Sequence, residues 1–423
     1  MRGPLASALA PFEVKAFRYQ WPSDILVSFA LEMENLILGW YILAETRSVV
    51  MLTAFAGLQF AGSLLAPFIG VLGDRMGRRI LLYGMRLVFA SFAAVLMLLG
   101  LTGNLSPVAV FVVAFLAGLL RQSDLMLRLS LVSDMMPPGR LMAAMGLSRI
   151  TLDAARVAGA LTGAGLFAWL GFGASYVAVS AFYVASVLLM LGGARVAVRP
   201  VPLPGAQAQE SSHKLQQQDA RRAQSALRDL KDGLAHVRDT PRLTAIVWLA
   251  VLLNLVGFPL TAGLLPYVAR EVYLLDEIGY GQLVAAHAFG CLAGSMLMTF
   301  LMRAFRAQRV VLAAAVLWHV AIIVFALTPT RVPGMAMLFT VGTFQSMTMV
   351  AVSVALLGAA AERFRARVMG VRMLAVYGLP VGLLVAGYLI KDVGFVATIS
   401  VFGVIGVVGT LLIGRRWRGA LWA

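Results

Sequence analysis

The amino-acid sequence predicts an all-α integral membrane protein with twelve transmembrane helices, arranged as two six-helix pseudo-repeats. Three observations carry that reading. The first is composition: of 423 residues, 61% are hydrophobic and 13% charged, with a mean hydropathy of +0.88. A soluble domain carries roughly 45–50% apolar and about 25% charged residues. The second is segmentation, since turn signals cut the apolar sequence into stretches of about 20 residues, the length that spans a bilayer. The third is charge asymmetry. Of the 35 Lys and Arg, about 26 fall in alternate loops and the termini, about four in the opposite loops and about five inside apolar stretches, the positive-inside pattern.

The spans read in order as 22–45, 49–72, 80–102, 106–130, 141–169 and 173–194, then 242–266, 280–302, 308–328, 333–358, 368–390 and 393–413. Thr102-Gly103-Asn104 with Pro107, Pro137-Pro138-Gly139, Gly171-Phe172-Gly173 and Thr328-Pro329-Thr330 separate neighbours because these residues favour turns. Arg415, Arg416 and Arg418 close the last span on the basic side. Residues 1–20 hold Glu13, Lys15 and Arg18 and lack an apolar core with a small-residue cleavage site, so span 1 is expected to remain as an uncleaved anchor. The 41 glycines and 21 methionines suit closely packed membrane helices.

The domain boundaries follow: 1–195 as an N-terminal six-helix bundle, 196–241 as a cytoplasmic linker and 242–423 as a C-terminal six-helix bundle. The linker opens with Pro200, Pro202 and Pro204, which favour an extended spacer, and continues through a Gln/Ser-rich run. It closes on Leu227, Leu230, Leu234 and Val237, whose three- and four-residue steps predict an amphipathic helix lying along the membrane surface. The halves repeat weakly. Pro138 to Gly146 opens span 5 and Glu362 to Gly370 opens span 11; both stretches are basic, end in Met-Gly and precede glycine-spaced helices (Gly159 and Gly163; Gly382 and Gly387). Six spans, a linker and six more spans is a parallel-repeat transporter plan.

The net charge of +16 is topogenic. It places both termini and the linker in the cytoplasm, and no basic cluster interleaves with stacking aromatics as nucleic-acid binding requires. The single cysteine, Cys291, excludes an intrachain disulfide and stands in no metal motif. The sequence has no Gly-rich phosphate loop, no His-Glu-x-x-His and no Ser nucleophile elbow. Neither an enzyme nor an ATP-driven pump is expected, and no cofactor or metal.

Charges within the membrane are the candidate working residues, since each costs about 2.5–3.5 kcal/mol at mid-bilayer. Ser28, Glu32, Asn35 and Gly39 form a polar stripe on span 1, while Glu34 lies roughly 200° around the helix from Glu32. Arg86 in span 3 could reach either glutamate. Span 4 carries Arg121, Asp124 and Arg128, and span 5 carries Arg149, Asp153 and Arg156, each set on one face where Asp can pair with Arg. The second half is quieter, with Asn254, His287, His319 and Gln345 as its main mid-span polar groups, and Met347, Met349, Phe344 and Tyr377 suit an adaptable apolar wall. Desolvation favours the neutral form of a carboxylic acid, so Glu32, Glu34, Asp124 and Asp153 are the candidate proton carriers, with protons as the coupling ion.

The loop between spans 2 and 3 reads Gly70-Val-Leu-Gly-Asp74-Arg75-Met-Gly77-Arg78-Arg79. It resembles the major facilitator superfamily signature G-x-x-x-D-R-x-G-R-R/K at every position. Three stretches resemble the branch of macrolide and multidrug efflux pumps, the enterobactin exporter and related secretion effectors. They are Asp229 to Arg238 with Pro241 and Leu243; Leu265-Pro266-Tyr267 with Tyr280-Gly281, Gly290 and Gly294; and Asp134, Pro137 and Arg140. The resemblance implies a cytoplasmic gate in which the Asp74 loop locks the outward-open state and meets Asp134. The second-half loop Arg303-Ala-Phe-Arg306-Ala-Gln-Arg309 lacks the Asp and both glycines, so the lock is one-sided. The implied protein is a monomeric, multi-pass secondary transporter of the bacterial inner membrane, exporting a hydrophobic or amphipathic small molecule by proton-coupled alternating access. A siderophore exporter, a lysophospholipid flippase and a non-transporting scaffold are the alternatives.

Overall fold

The structure is a computed structural model, and it describes residues 10–64, 69, 72–73, 76–194, 231–304, 307–360 and 364–421. Among these residues every regular element is helical, and ten helices are long and apolar enough to cross a bilayer. One of the ten, Gly139–Gly192, contains two spans joined at Gly171, whose φ of 73° interrupts the helix and is open to glycine without strain. The limb before Gly171 runs along span 1, where a Cβ on Gly163 would stand 3.0 Å from Met33 Cα. The limb after it runs back, bringing Ser186 to Ser23 and Gly192 to Tyr19. A shorter apolar helix, Val49–Ser63, follows span 1. Gly70, Asp74, Arg75, Arg306, Glu362 and linker residues 195–230 lie outside the described residues.

The chain divides into two compact units, Met1–Asn35 with Ala61–Leu227 and Leu36–Phe60 with Arg228–Ala423. Span 1 is a 32-residue helix, Lys15–Thr46, with Pro22 inside it; its residues up to Asn35 belong to the first unit and those from Leu36 to the second. It starts seven residues before the apolar run because its first turns are held by aromatic packing. Phe12 makes edge contacts with Phe17 at 5.4 Å and Trp21 at 5.0 Å, and this group covers Val132, Met135, Met136 and Ala144. An ion pair between Glu13 and Arg140 at 2.5 Å ties the segment to the start of span 5. Span 4 starts at Pro107, capped by the Ser106 hydroxyl, which accepts from Ala109 N.

In the second unit, spans 8 and 10 cross at backbone contact. A Cβ on Gly290 would stand 2.0 Å from Phe339 O, and one on Gly342 would stand 2.2 Å from His287 O. Small residues permit that approach where the surrounding solvent is hydrocarbon and packing drives association. Span 7, Pro241–Val272, holds three π-helical segments, Leu253–Gly257, Leu260–Leu264 and Val268–Val272. Pro259 and Pro266 interrupt its i→i−4 ladder, and the wider π turns absorb the lost bonds. Val49–Leu58 packs on Gly378–Val393, with Ala56, Leu379 and Leu383 at the centre of the contact.

Residues 231–239 are helical, but the expected membrane-surface helix is covered by protein on one side. Val237 is buried, His236 stacks on Phe364 at 4.2 Å, and Asp232 faces Arg367 at 3.6 Å, so the segment docks on the start of span 11.

Candidate functional site

Helical periodicity sorts the span 1 polar groups between different neighbours. Ser28, Glu32 and Asn35 face spans 4 and 5. Ser28 Oγ accepts from Arg128 Nη1 at 3.0 Å, Asn35 Oδ1 accepts from Arg121 Nη1 at 2.6 Å, and Glu32 Oε1 lies 3.8 Å from Arg156 Nε. Glu34, on the far side of the helix, turns to span 6, where Tyr183 donates at 2.8 Å and Tyr176 at 3.5 Å. Both tyrosines are fully buried. Glu34 is thus held by neutral donors in a dry position, whereas Glu32 is held loosely by a cation.

Arg86 reaches neither glutamate, correcting that expectation. It is completely buried and pairs with Asp24, with further bonds to the Ser23 and Ser186 hydroxyls. Arg128 pairs with Asp124 one turn away and also donates to Asp24 O at 3.4 Å. Two aspartates and two arginines from spans 1, 3 and 4 therefore neutralise one another in the core of the first unit. Their satisfaction is incomplete: Asp124 Oδ1, Arg86 Nε and Arg128 Nε are buried without hydrogen-bond partners. On span 5, Asp153 is held by Arg149 Nε at 3.0 Å.

Exposure separates these pairs. The Glu32 and Arg156 side chains are 26% and 40% exposed, whereas those of Asp124 and Arg128 are 1% and 6% exposed. Gly159 brings span 5 against span 1 here, since a Cβ on it would stand 3.0 Å from Glu32 Cβ. A cavity of about 560 Å³ lies wholly within the first unit and meets span 1 at Phe29 and Met33, not at Glu32 itself. Phe29, Met33, Leu166, Trp169 and Phe182 line it, with Thr162 as its polar edge. A long, partly exposed ion pair can exchange its internal partner for a proton or for a ligand.

At the end of the unit where span 1 begins, Asp134 accepts from Arg78 Nη1 through both carboxylate oxygens, at 2.7 and 2.9 Å. Gly77 precedes that arginine with a φ of 91°, and Arg79 donates to Met190 O at 3.5 Å. Gly70, Asp74 and Arg75 of the same loop lie outside the described residues.

In the second unit, Gln345 Oε1 accepts from Thr261 Oγ1 at 3.2 Å and pairs with His287 Nε2 at 3.1 Å; Cys291 Sγ lies 3.7 Å from the same nitrogen. The π turn Leu260–Leu264 carries Thr261, and the span 8 and 10 crossing brings the others together. Asn254 donates to Ala250 O at 2.8 Å and His319 bonds Ala315 O at 2.7 Å, each within its own helix. Among the described residues no three His, Cys, Asp or Glu side chains converge as metal ligands do.

Four participants escaped the sequence reading: Asp24, Tyr176, Tyr183 and Arg372, whose Nη1 donates to Ser353 Oγ at 2.8 Å. Asp24 already lies inside the span 22–45, close to its start. Arg372 is an unpaired basic residue inside an apolar run, a legible signal. The tyrosines carry none, because their role depends on which face of span 6 meets Glu34.

The profile of a family described as transmembrane secretion effector matches residues 6–418. Solved structures of similar fold include an auto-inhibited POT family peptide transporter, 14% identical, with a TM-score of 0.70 over 96% of this chain and 97% of that one. A nucleoside transporter is 14% identical, with a TM-score of 0.62 over 96% and 99% of the two chains. A bacterial homolog to the human lysosomal transporter Spinster, inward-facing and unoccupied, is 15% identical, with a TM-score of 0.65 over 95% and 99%. No curated protein matches the chain.

Proposed function

The chain belongs to the transmembrane secretion effector family, and from that premise we propose that it is a proton-coupled exporter of a hydrophobic or amphipathic small molecule. Family and fold are those of major facilitator transporters, which carry a small-molecule substrate through a membrane. Export, the proton as coupling ion, the bacterial inner membrane, cytoplasmic termini, a monomeric state and a full set of twelve spans belong to the proposal.

The observation that supports coupling at span 1 is the Glu32–Arg156 pair, long at 3.8 Å and partly exposed, on the same stretch of span 1 as Phe29 and Met33, which line an apolar cavity. A proton arriving at Glu32 removes the charge that holds Arg156. The guanidinium, no longer paired with Glu32, and the neutral carboxyl then present a different site to the substrate than the ion pair does. Competition of proton and substrate for one carboxylate links their fluxes, because each ligand binds one state of the pair in preference to the other. Glu34 and Asp124 are poorer carriers, since each is already held by short bonds in a sealed setting. The His287–Gln345–Thr261 cluster serves as the polar contact of the second unit, a hydrogen-bonding rather than a charged one.

The test is transport of ethidium into everted membrane vesicles under an imposed pH gradient. Wild type should accumulate the dye and Glu32→Gln should not, while both bind it. A second reading, lysophospholipid flipping, draws support from Trp169, 83% exposed at the rim of the cavity. Substituting a fluorescent lysophospholipid for ethidium in the same vesicles separates the two.

A further inference from the structure

Arg372 is an intramembrane charge used neither by the coupling pair nor by the buried network. It lies in span 11, seven residues beyond Arg365, where that helix begins. Its acceptor, Ser353, lies six residues before Ala359, the end of the span 10 helix. At 1.5 Å per residue they sit about 10 and 9 Å inside the helix ends. The side chain reaches sideways to span 10 and does not snorkel to the surface as a long basic side chain can.

Arg121 bonds the Asn35 amide and the Leu31 carbonyl, while other span arginines meet carboxylates. Arg86, Arg128, Arg149 and Arg156 each face a carboxylate, and Arg367 faces Asp232. Among the described residues, Arg372 has the Ser353 hydroxyl alone as an acceptor. That hydroxyl donates its own proton to Met349 O at 2.8 Å, so its lone pairs are turned to the guanidinium. A guanidinium carries five N–H donors, so most of its donor capacity remains uncommitted in an apolar setting. Just beyond it the helix tightens into the 3₁₀ turn Ala375–Tyr377, a local change of pitch that often marks a working position in a helix.

We propose that Arg372, set by Ser353, is the binding site for an oxyanion (phosphate, sulfate or carboxylate) carried on an amphiphile. The planar fork of a guanidinium matches such a group through two parallel N–H bonds. The missing neutralising charge thus comes from the ligand. Two sources share that chemistry, the head of the transported molecule and the phosphate of a bilayer lipid. Only the first rests on the exporter reading, whose substrate it makes anionic.

The experiment uses the full chain in dodecyl maltoside, and the probe is dodecyl phosphate, followed by tryptophan fluorescence, with dodecyl trimethylammonium as the cationic control. Wild type should bind dodecyl phosphate at least about tenfold tighter than Arg372→Met, with Arg372→Lys in between. The cationic control should not distinguish the variants. A lipid arm compares thermal stability in nanodiscs of phosphatidylglycerol and of phosphatidylcholine. A wild-type preference for phosphatidylglycerol that is lost in Arg372→Met identifies the lipid source, and micellar binding without it identifies the cargo. Equal dodecyl phosphate binding by wild type and Arg372→Met, with no lipid preference, overturns the proposal. If Arg372→Met does not fold, a photoreactive alkyl phosphate is cross-linked to wild type and mapped. Label on span 10 or 11 beside Arg372 supports the site, and label elsewhere overturns it. Because these readouts are binding measurements at zero gradient, failure of ethidium export leaves them standing, and their failure leaves export standing.

Discussion

Replacing Asp24 by Asn keeps the side chain's shape and removes its charge. Arg86, fully buried, then has only the Ser23 and Ser186 hydroxyls and a neutral amide as acceptors, while its Nε already lacks a partner. Breaking one side of a buried ion pair costs about 3–5 kcal/mol. The amide can still accept one bond, so the low end, about 3 kcal/mol, is expected. At about 2–4 °C per kcal/mol for a domain of 150–250 residues, the melting temperature should fall by at least about 6 °C. Thermal unfolding in detergent, followed by the emission of the 7 tryptophans, measures it. The paired change Asp24→Leu with Arg86→Met removes both charges and should return the stability to within about 1 kcal/mol of wild type, a melting temperature within about 2–4 °C, as apolar replacement of a buried pair generally does. An Asp24→Asn protein that melts with wild type, or a double variant that melts lower than the single, refutes the assignment of this pair as mutual neutralisation.

Three further outcomes follow from the geometry. Arg78→Gln breaks a pair whose side chains are 33% and 51% exposed; the stability change should stay below about 1 kcal/mol while ethidium export is lost at matched abundance, and Asp74→Asn should behave alike. Tyr183→Phe removes the 2.8 Å donor to Glu34 and should cost about 1.5–3 kcal/mol, the range for a hydrogen bond to a charged group, read as a lower melting temperature with export kept within about twofold. Gly290→Ala drives a methyl against Phe339 O and should cost at least about 1–3 kcal/mol by overpacking. Gly146→Ala, where a Cβ meets nothing within 4 Å, should be neutral in the same melt.

Much of the fold was legible because bilayer-length apolar runs need little tertiary information. Gly171-Phe172-Gly173 marked a reversal inside a continuous apolar stretch, and the helix is interrupted there at Gly171. The start of span 1 was misplaced because Pro22 follows a polar stretch and reads as a helix opening. In the fold, aromatic contacts of Phe12 and Trp21 extend the helix back to Lys15, so Asp24, near the edge of the span 22–45, stands nine residues inside the helix. That residue took Arg86, which sequence spacing had offered to Glu32 or Glu34. The opposite fates of those two glutamates were half legible: a separation of two residues forbids a shared face, but only packing shows Arg156 beside one and two tyrosines around the other. The π turns of span 7 were hidden, since two prolines predict a disturbance without its geometry. Arg372 is legible as a basic residue inside the apolar run 368–390, whereas its Ser353 partner is set only by packing.

The central claim is that Glu32 couples proton movement to export. Reconstituted protein in proteoliposomes with an imposed pH gradient tests it most directly, with uphill ethidium transport and proton flux recorded together for wild type, Glu32→Gln and Glu34→Gln. The account predicts that Glu32→Gln loses both uphill transport and substrate-driven proton flux yet still exchanges ethidium down its own gradient, while Glu34→Gln keeps coupled transport. Full gradient-driven export by Glu32→Gln alongside an inactive Glu34→Gln would contradict it and move the coupling site to the tyrosine-held carboxylate.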